Sequence, residues 1–400
     1  MLAPLLFSLL ASLAAAAPTA RWQDSIGASY FQTNGLAGNQ LVANYIEPSG
    51  KLVAGSAVWT GGNGSATINM PGPEVNHPDP LVSSNSVIVV GKQVLNVNSG
   101  SNTFSVFDID AADPANPKLA GTFPSYGEFP NSLGASADGK TLCVLNAGKV
   151  NGFACYEAGA SGWSHMAGWD RTFGFNLTTP PMNLPGTPSS ITFARDGSAL
   201  HVAIKGIPPP ANSTAQLQPG SIYTYAITGS TLAAEPTKTP AQLPFALVED
   251  SVNPGVFVSP DPASGFEVFR FGANPSAVPG TLDGEMAVCW TAQSELTKSF
   301  FLVDAVTSNV TEISVDPTTL KGTVKSHHHL GTNAAITDVA IGHRGTYDLM
   351  YVLVPSYRAI RAFKITAPGK FKFFQHFERY DLPQGTELSK GFNGQALFWK

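Results

Sequence analysis

Charged side chains are scarce in this chain: Lys, Arg, Asp and Glu make up 13% of its 400 residues, about half the share in an average soluble protein. The cations stand singly, and the formal net charge is −5. No basic stripe exists to neutralise a phosphate backbone, so nucleic acid is excluded as a partner on electrostatic grounds. Heptads of Leu flanked by Glu and Lys are missing, which excludes a coiled coil. After the first 17 residues, no apolar run approaches the roughly 20 residues that span a bilayer. No glycine-rich phosphate loop opens a helix, so nucleotide chemistry has no support. A Ser-centred nucleophile elbow is missing too: Gly134-Ala135-Ser136 comes nearest, with Asp138 where the second glycine belongs. No cofactor is expected.

What the chain has in quantity is turn formers, 39 glycines and 31 prolines, beside 43% hydrophobic residues. That hydrophobic share excludes a disordered chain, and the density of turns points to many short strands. Residues 1–17, MLAPLLFSLLASLAAAA, are apolar and end in small residues before Pro18. They read as a secretory signal peptide, although no basic side chain precedes the run. Residues 18–400 are then one domain, secreted to the extracellular space or cell wall. Asn63, Asn176, Asn212 and Asn309 each begin an Asn-x-Ser/Thr triplet and are candidate glycosylation sites. Cys143 and Cys155 lie in two strand-like runs around a Gly-containing turn. A hairpin centred on Lys149 would set them face to face, and an oxidising compartment would join them. Cys289, the third cysteine, reads as a buried thiol.

Internal repeats decide the architecture. PNSLGASADGKTLCVLNAG (130–148) aligns with PSSITFARDGSALHVAIKG (188–206), and looser copies occupy 81–100 and 334–354. The turn glycines Gly91, Gly139, Gly197 and Gly345 are separated by 48, 58 and 148 residues, with Gly255 inside the last interval. A period near 50 with about four strands per unit is the signature of a β-propeller. A four-stranded blade is apolar on both faces, and only radial stacking buries both. Seven units fit: blades 2 to 7 fall at about 81–123, 131–166, 188–240, 245–272, 284–327 and 334–378. The first unit (ASYFQTN, QLVANYIE, KLVAGSAVW) has only three strands. The C-terminal stretch GFNGQALFW is expected to supply its innermost strand and close the ring. The predicted fold class is therefore all-β, a seven-bladed β-propeller.

The segments ASYFQTN-GLAGNQLVANYIEPSGKLVAG, WTGGNGS, NVNSGSNTFSVFDID and GEFPNSLGASADGKTLCVLNAGKVNGFACY resemble a group of fungal secreted proteins. That group is the 3-carboxymuconate cyclase-like proteins of the lactonase/cycloisomerase seven-bladed propeller superfamily. The resemblance runs from about residue 28 to 250 and thins afterwards. It implies lactone-forming or lactone-opening chemistry on carboxylated substrates; some such fungal proteins are instead regarded as cell-surface glycoproteins or adhesins. It carries no catalytic residue over.

In a propeller, loops leading into each innermost strand and loops joining the second and third strands gather on one face, the default binding face. The first kind carries Glu74, His77, Glu128, Asn131, Arg171, Asp283, Glu285 and His327–His329, and the second Lys149, Lys205 and Arg358. Lactone chemistry on a diacid needs cations for the carboxylates and a proton donor at the reacting centre. Lys205, Arg358 and Lys149 suit the first role, and His77, Glu128 or the histidine triplet the second. Asp338, in the apolar run AITDVAIG, either lines the channel as an acid of raised pKa or ties blades together through backbone N–H groups. Alternate residues of an extended strand share a face, so the triplet offers two ligands together, too few for a closed zinc site, and no metal is expected. The catalytic candidates are His77, Glu128, Lys205, Arg358 and Asp338. The expected partner is a small carboxylate or lactone, or else a cell-surface ligand, bound by a self-sufficient monomer. Trp59, Trp163 and Trp169 offer a weaker, sugar-binding alternative at the channel mouth.

Overall fold

The computed structural model describes residues 24–68, 79–160, 162–182, 186–209, 213–272, 274–331, 335–378, 381–387 and 391–400. The signal-peptide stretch, Glu74, His77 and Asn212 lie outside the described residues.

Seven antiparallel sheets follow one another along the chain, each built outward from an innermost strand. Blade 2 consists of Val87–Val90, Gln93–Asn98, Thr103–Asp108 and Lys118–Pro124. Blade 3 runs through Pro130–Ala135, Thr141–Asn146, Gly152–Gly159 and Gly162–His165, and blade 4 through Pro188–Phe193, Ala199–Ile204, Gly220–Thr228 and two short outer strands. Blade 5 has Val248–Glu249, Val256–Asp261, Gly265–Arg270 and Ser276–Thr281. Blade 6 has Val288–Gln293, Phe300–Asp304, Asn309–Val315 and Gly322–His329. Thr337–Arg344, Tyr347–Val354, Ala359–Ala367 and Lys370–Phe377 make blade 7.

Blade 1 closes the ring as expected. Its strands lie in the order Leu52–Trp59, Gln40–Ile46, Gly27–Gln32, Asn393–Trp399. The C-terminal strand pairs Gly27 with Trp399 and Tyr30 with Ala396, and packs between the innermost strands of blades 2 and 7. Burial is deepest in the second strands and least in the outermost. Every residue of Ala199–Ile204 is buried, whereas Lys118–Pro124 has no buried residue. Between blades the apolar faces interlock: Ala203 and Ile222 of blade 4 meet Phe257 and Phe269 of blade 5. Each fully buried Phe or Ile adds roughly 1.5–3 kcal/mol.

The repeat glycines do what the period implies. Gly91, Gly139, Gly197, Gly255 and Gly345 all turn the chain from a first strand into a second, at φ between 57° and 78°, which is the left-handed region where a Cβ is penalised. Cys143 and Cys155 face each other across the second and third strands of blade 3 and form the disulfide. Closing so short a loop stabilises by about 3 kcal/mol.

Three sequence expectations need correction. Blade 5 extends beyond 272 to an outer strand, Ser276–Thr281, hidden in the sequence because Pro279 and Gly280 break the apolar alternation. His327–His329 end the outermost strand of blade 6 and do not sit in a loop. The tryptophans are rim residues: Trp59 ends the outermost strand of blade 1, Trp163 bonds Gln93 of blade 2, and Trp169 bonds Ser230 of blade 4.

Candidate functional site

The innermost strands share an irregularity near their starts. Across the first two strands of blades 3, 4, 6 and 7 one residue has no partner: Asn131, Ser189, Cys289 and Asp338, in each case the second residue of the strand. The C-terminal strand has its own bulge at Gly394, with φ 76°. A one-residue bulge bends its strand and re-aims a side chain. Here the repetition gathers small or polar residues round the upper end of the axis, the face where each innermost strand begins. Gly394 is obligatory there, because a Cβ would lie 2.5–2.7 Å from Val87 of blade 2.

A strap of chain, Asp79 to Ser86, lies over this ring. Ser83 Oγ donates to Asn131 O (2.7 Å), and Ser84 N donates to Ser189 O (3.0 Å). Asn85 O accepts from Leu133 N (2.9 Å), while Ser83 O accepts from Trp290 Nε1 (3.2 Å). Val82 O takes the Lys205 ammonium at 2.6 Å, and Asp79 Oδ1 takes Asn393 Nδ2 at 2.9 Å. Blades 1, 3, 4 and 6 therefore hold the strap. Val82 sits at φ 49°, a conformation that costs a β-branched residue about 1–3 kcal/mol, and the bonds around it hold it there. Beneath, a cavity of about 40 Å³ is lined by Ser84, Asn85, Trp290, Asp338 and Gln395 among others. It has room for on the order of one to three waters.

Two ionisable groups lie beneath the strap, Asp338 and Lys205, and each feels the charge of Asp79 at its start. Asp338 is buried, its Oδ2 accepting the Gly394 N–H at 2.8 Å. Burial pushes it up to about 7, against the Gly394 bond and with the charge of Asp79 adding to the rise. Asp79 is raised by burial to about 6, held back by bonds from Asn393 and the Val82 N–H and by the Lys205 charge. Lys205 is lowered by burial to about 7, with Asp79 opposing, and its ammonium lies 5.1 Å from the centre of the Phe245 ring. Burial also raises the neighbouring Cys289 thiol. Asn393 links the two carboxylates and receives Asn34 Nδ2 at 2.7 Å. Behind Asn34, a chain of amides fastens blade 1 to blade 2: Gln32 bonds Asn34, Asn96 bonds Gln32, and Asn39 bonds Asn98.

Of the catalytic candidates, Lys205 and Asp338 each lie within the field of Asp79, while Glu128 and Arg358 stand apart. Glu128 is half-buried in its loop, where its carboxylate accepts the Thr179 hydroxyl, which itself receives the Lys149 N–H. That is loop stapling. Arg358 follows the turn Pro355–Tyr357 in a left-handed conformation, φ 51°, and its side chain makes no hydrogen bond or ion pair among the described residues. Arg171 is used up on the carbonyls of Leu232 and Ala233. Glu285 is buried, receiving Thr307 Oγ1 at 2.6 Å and Asn309 Nδ2 at 3.1 Å. Asp79 and Asn393 went unnoticed in the sequence. Among the described residues no cluster of His, Cys, Asp and Glu could hold a metal, and no helix is long and apolar enough to cross a membrane. Asn63 and Asn176 are exposed, while Asn309 is half-buried with its amide engaged by Glu285. An open cleft of about 590 Å³ lies on the upper face of blades 3 and 4, with Phe175, Ile207, Tyr223 and Lys205 in its wall.

The fold is shared with solved propellers. A Bacteroides fragilis protein named as a 6-phosphogluconolactonase is 14% identical over 92% of this chain and 98% of its own, with a TM-score of 0.61. The periplasmic gluconolactonase of Pseudomonas aeruginosa is 13% identical over 87% and 99%, with a TM-score of 0.57. A Bacteroides uniformis protein, also named as a 6-phosphogluconolactonase, is 15% identical over 88% and 100%, with a TM-score of 0.57. No protein-family model and no curated protein matches the chain.

Proposed function

We propose that this protein is a lactonase-like propeller that opens, or in reverse closes, a lactone on a small carboxylated substrate, with Asp338, Lys205 and Asp79 as its reacting groups. The observation that carries this reading is that Asp338 and Lys205, beneath the strap, both interact with Asp79 at its start, each of the three displaced by burial toward neutrality. Groups poised near neutral pH are what proton transfer at neutral pH requires. The lactonases of the same fold support the reaction class.

In this reading the substrate docks in the upper cleft beside Lys205 and reaches the axis as the strap lifts. The ionised Asp338 takes a proton from water as its oxygen attacks the ring carbonyl, and the Lys205 ammonium stabilises the oxyanion. The ring C–O bond breaks, and the alkoxide recovers a proton from the protonated Asp338. Asp79 holds Lys205 charged. Export as a glycoprotein belongs to the same proposal, supported by the Cys143–Cys155 disulfide and the exposed Asn63 and Asn176.

The seal itself favours a second reading, a non-catalytic extracellular binding propeller whose axial groups only stabilise the ring. Assay of the purified protein against sugar lactones and muconates separates the two. The lactonase reading expects a bell-shaped rate centred near pH 7 and a loss of about 10²-fold or more in Asp338→Asn. No turnover, or turnover unchanged in Asp338→Asn and Lys205→Met, gives the molecule to the binding reading.

A further inference from the structure

The outer rim between blades 6 and 7 holds a cleft of about 370 Å³, lined by His328, His329, Leu330, Arg361, Phe363, Phe371 and Phe373. All but Leu330 come from outer strands, Gly322–His329, Ala359–Ala367 and Lys370–Phe377, so the cleft is separate from the axis. Arg361 has no carboxylate partner among the described residues. Its Nε makes one long bond to His376 Nδ1 (3.5 Å), and the guanidinium lies 5.4 Å from the centre of the Tyr357 ring. Neither Nη atom has a hydrogen-bond partner among the described residues. A half-buried guanidinium left without a carboxylate is suited to take an anion, because Arg recognises planar anions bidentately.

A second polar group is unsatisfied at the same place. His328 Nε2 is buried with no hydrogen-bond partner, although its ring packs on Phe371 with centroids 3.6 Å apart. An unmade bond at a buried nitrogen is costly. Phe371 stands edge-on to Phe363, and Phe373, half exposed, extends the same wall. Of the carboxylates nearby, Glu312 receives the Gly369 N–H and the Ser326 hydroxyl on Oε2 and places its charge near His328, while Glu378 lies 3.9 Å from His376. His329 is held through Nδ1 by Asn309.

We propose that this rim cleft is a binding site for a small aryl carboxylate, its carboxylate on the Arg361 guanidinium, its ring among Phe363, Phe371 and Phe373. The pairing gives the Arg361 Nη atoms the acceptor that the described residues do not supply. The apolar wall selects a monoanion with a flat apolar body over a fully hydrated polyanion, whose water it would strip without replacement. The volume falls in the range of small-molecule sites.

Calorimetric titration of the intact protein tests the site with three probes: benzoate, benzyl alcohol (the ring without the charge) and acetate (the charge without the ring). Benzoate is expected to bind saturably, one per chain, and the other two about tenfold or more weakly. Arg361→Gln should weaken benzoate by about tenfold or more and leave benzyl alcohol unchanged. Because Arg361 is half exposed, an unchanged melting temperature will show that the variant is folded; Phe371→Leu, which should weaken benzoate and benzyl alcohol alike, provides a second arm. Absence of saturable benzoate binding, or benzoate affinity unaltered in both variants, overturns the proposal.

Discussion

The axial centre and the rim cleft both gather ionisable side chains on the same scaffold, yet they hold them in opposite states. At the axis, Asp338 and Lys205 are buried and bonded under the strap, and half-buried Asp79, at its start, is bonded to Asn393. At the rim, Arg361 is half exposed and lacks a carboxylate among the described residues. Burial displaces protonation equilibria and so equips groups for chemistry. Exposure beside an apolar wall leaves charge fixed and free to meet a ligand. A propeller offers both environments because its innermost strands converge while its outermost strands splay.

Removing the C-terminal strand should break the comparison most completely. A chain ending at Gly391 loses the innermost strand of blade 1, together with Asn393 and the Gly394 bulge at the axis. It is expected to show no cooperative melting transition, as read by near-ultraviolet circular dichroism against temperature. A native-like transition would refute closure of the ring by that strand.

A smaller effect separates the axis by pH. A free carboxyl titrates near 3.8, whereas Asp338 in the folded chain titrates at about 7. Between those values the native state keeps a proton that the unfolded chain has released, so Asp338 lowers stability as pH rises through the window. Asp338→Asn escapes that loss. It should be more stable than the parent at pH 8, by on the order of 4 kcal/mol, and equal to it near pH 4. Denaturant titrations at the two pH values would contradict the account if the difference were pH-independent.

The rim should barely respond. Arg361→Gln is expected to change stability by less than about 0.5 kcal/mol from pH 5 to pH 8, checked by the same titrations. A loss comparable to the axial variant would mean that Arg361 is a structural residue.

The ring was legible in the sequence because five blades share the same backbone demand, a left-handed glycine between the first two strands. The three-stranded first unit pointed to the C-terminal strand, and the cysteine pair followed from hairpin register. The site was less legible. Leu81 and Val82 resemble the start of a strand, but they belong to the strap, whose course is set by distant partners such as Lys205 and Trp290. Glu128 and Arg358 share a face with Lys205, and a shared face does not bring side chains together. The segments that carry the family resemblance include Gln32, Asn34, Asn39, Asn96 and Asn98, and those amides fasten blade 1 to blade 2. One signal was readable: a small or polar second residue recurs in the innermost strands, as Pro130-Asn131, Pro188-Ser189, Val288-Cys289, Thr337-Asp338 and Asn393-Gly394. That recurrence marks the bulges.

Cys289 offers the most direct test of the sealed axis, being the free thiol among the described residues and buried beside Lys205. Its reaction with N-ethylmaleimide, followed by intact mass at pH 8, would be compared between the native chain and the urea-unfolded chain with its disulfide intact. The strap as described predicts native labelling slower by about 10³-fold or more. Labelling within about tenfold of the unfolded rate would mean that the strap does not close the axis.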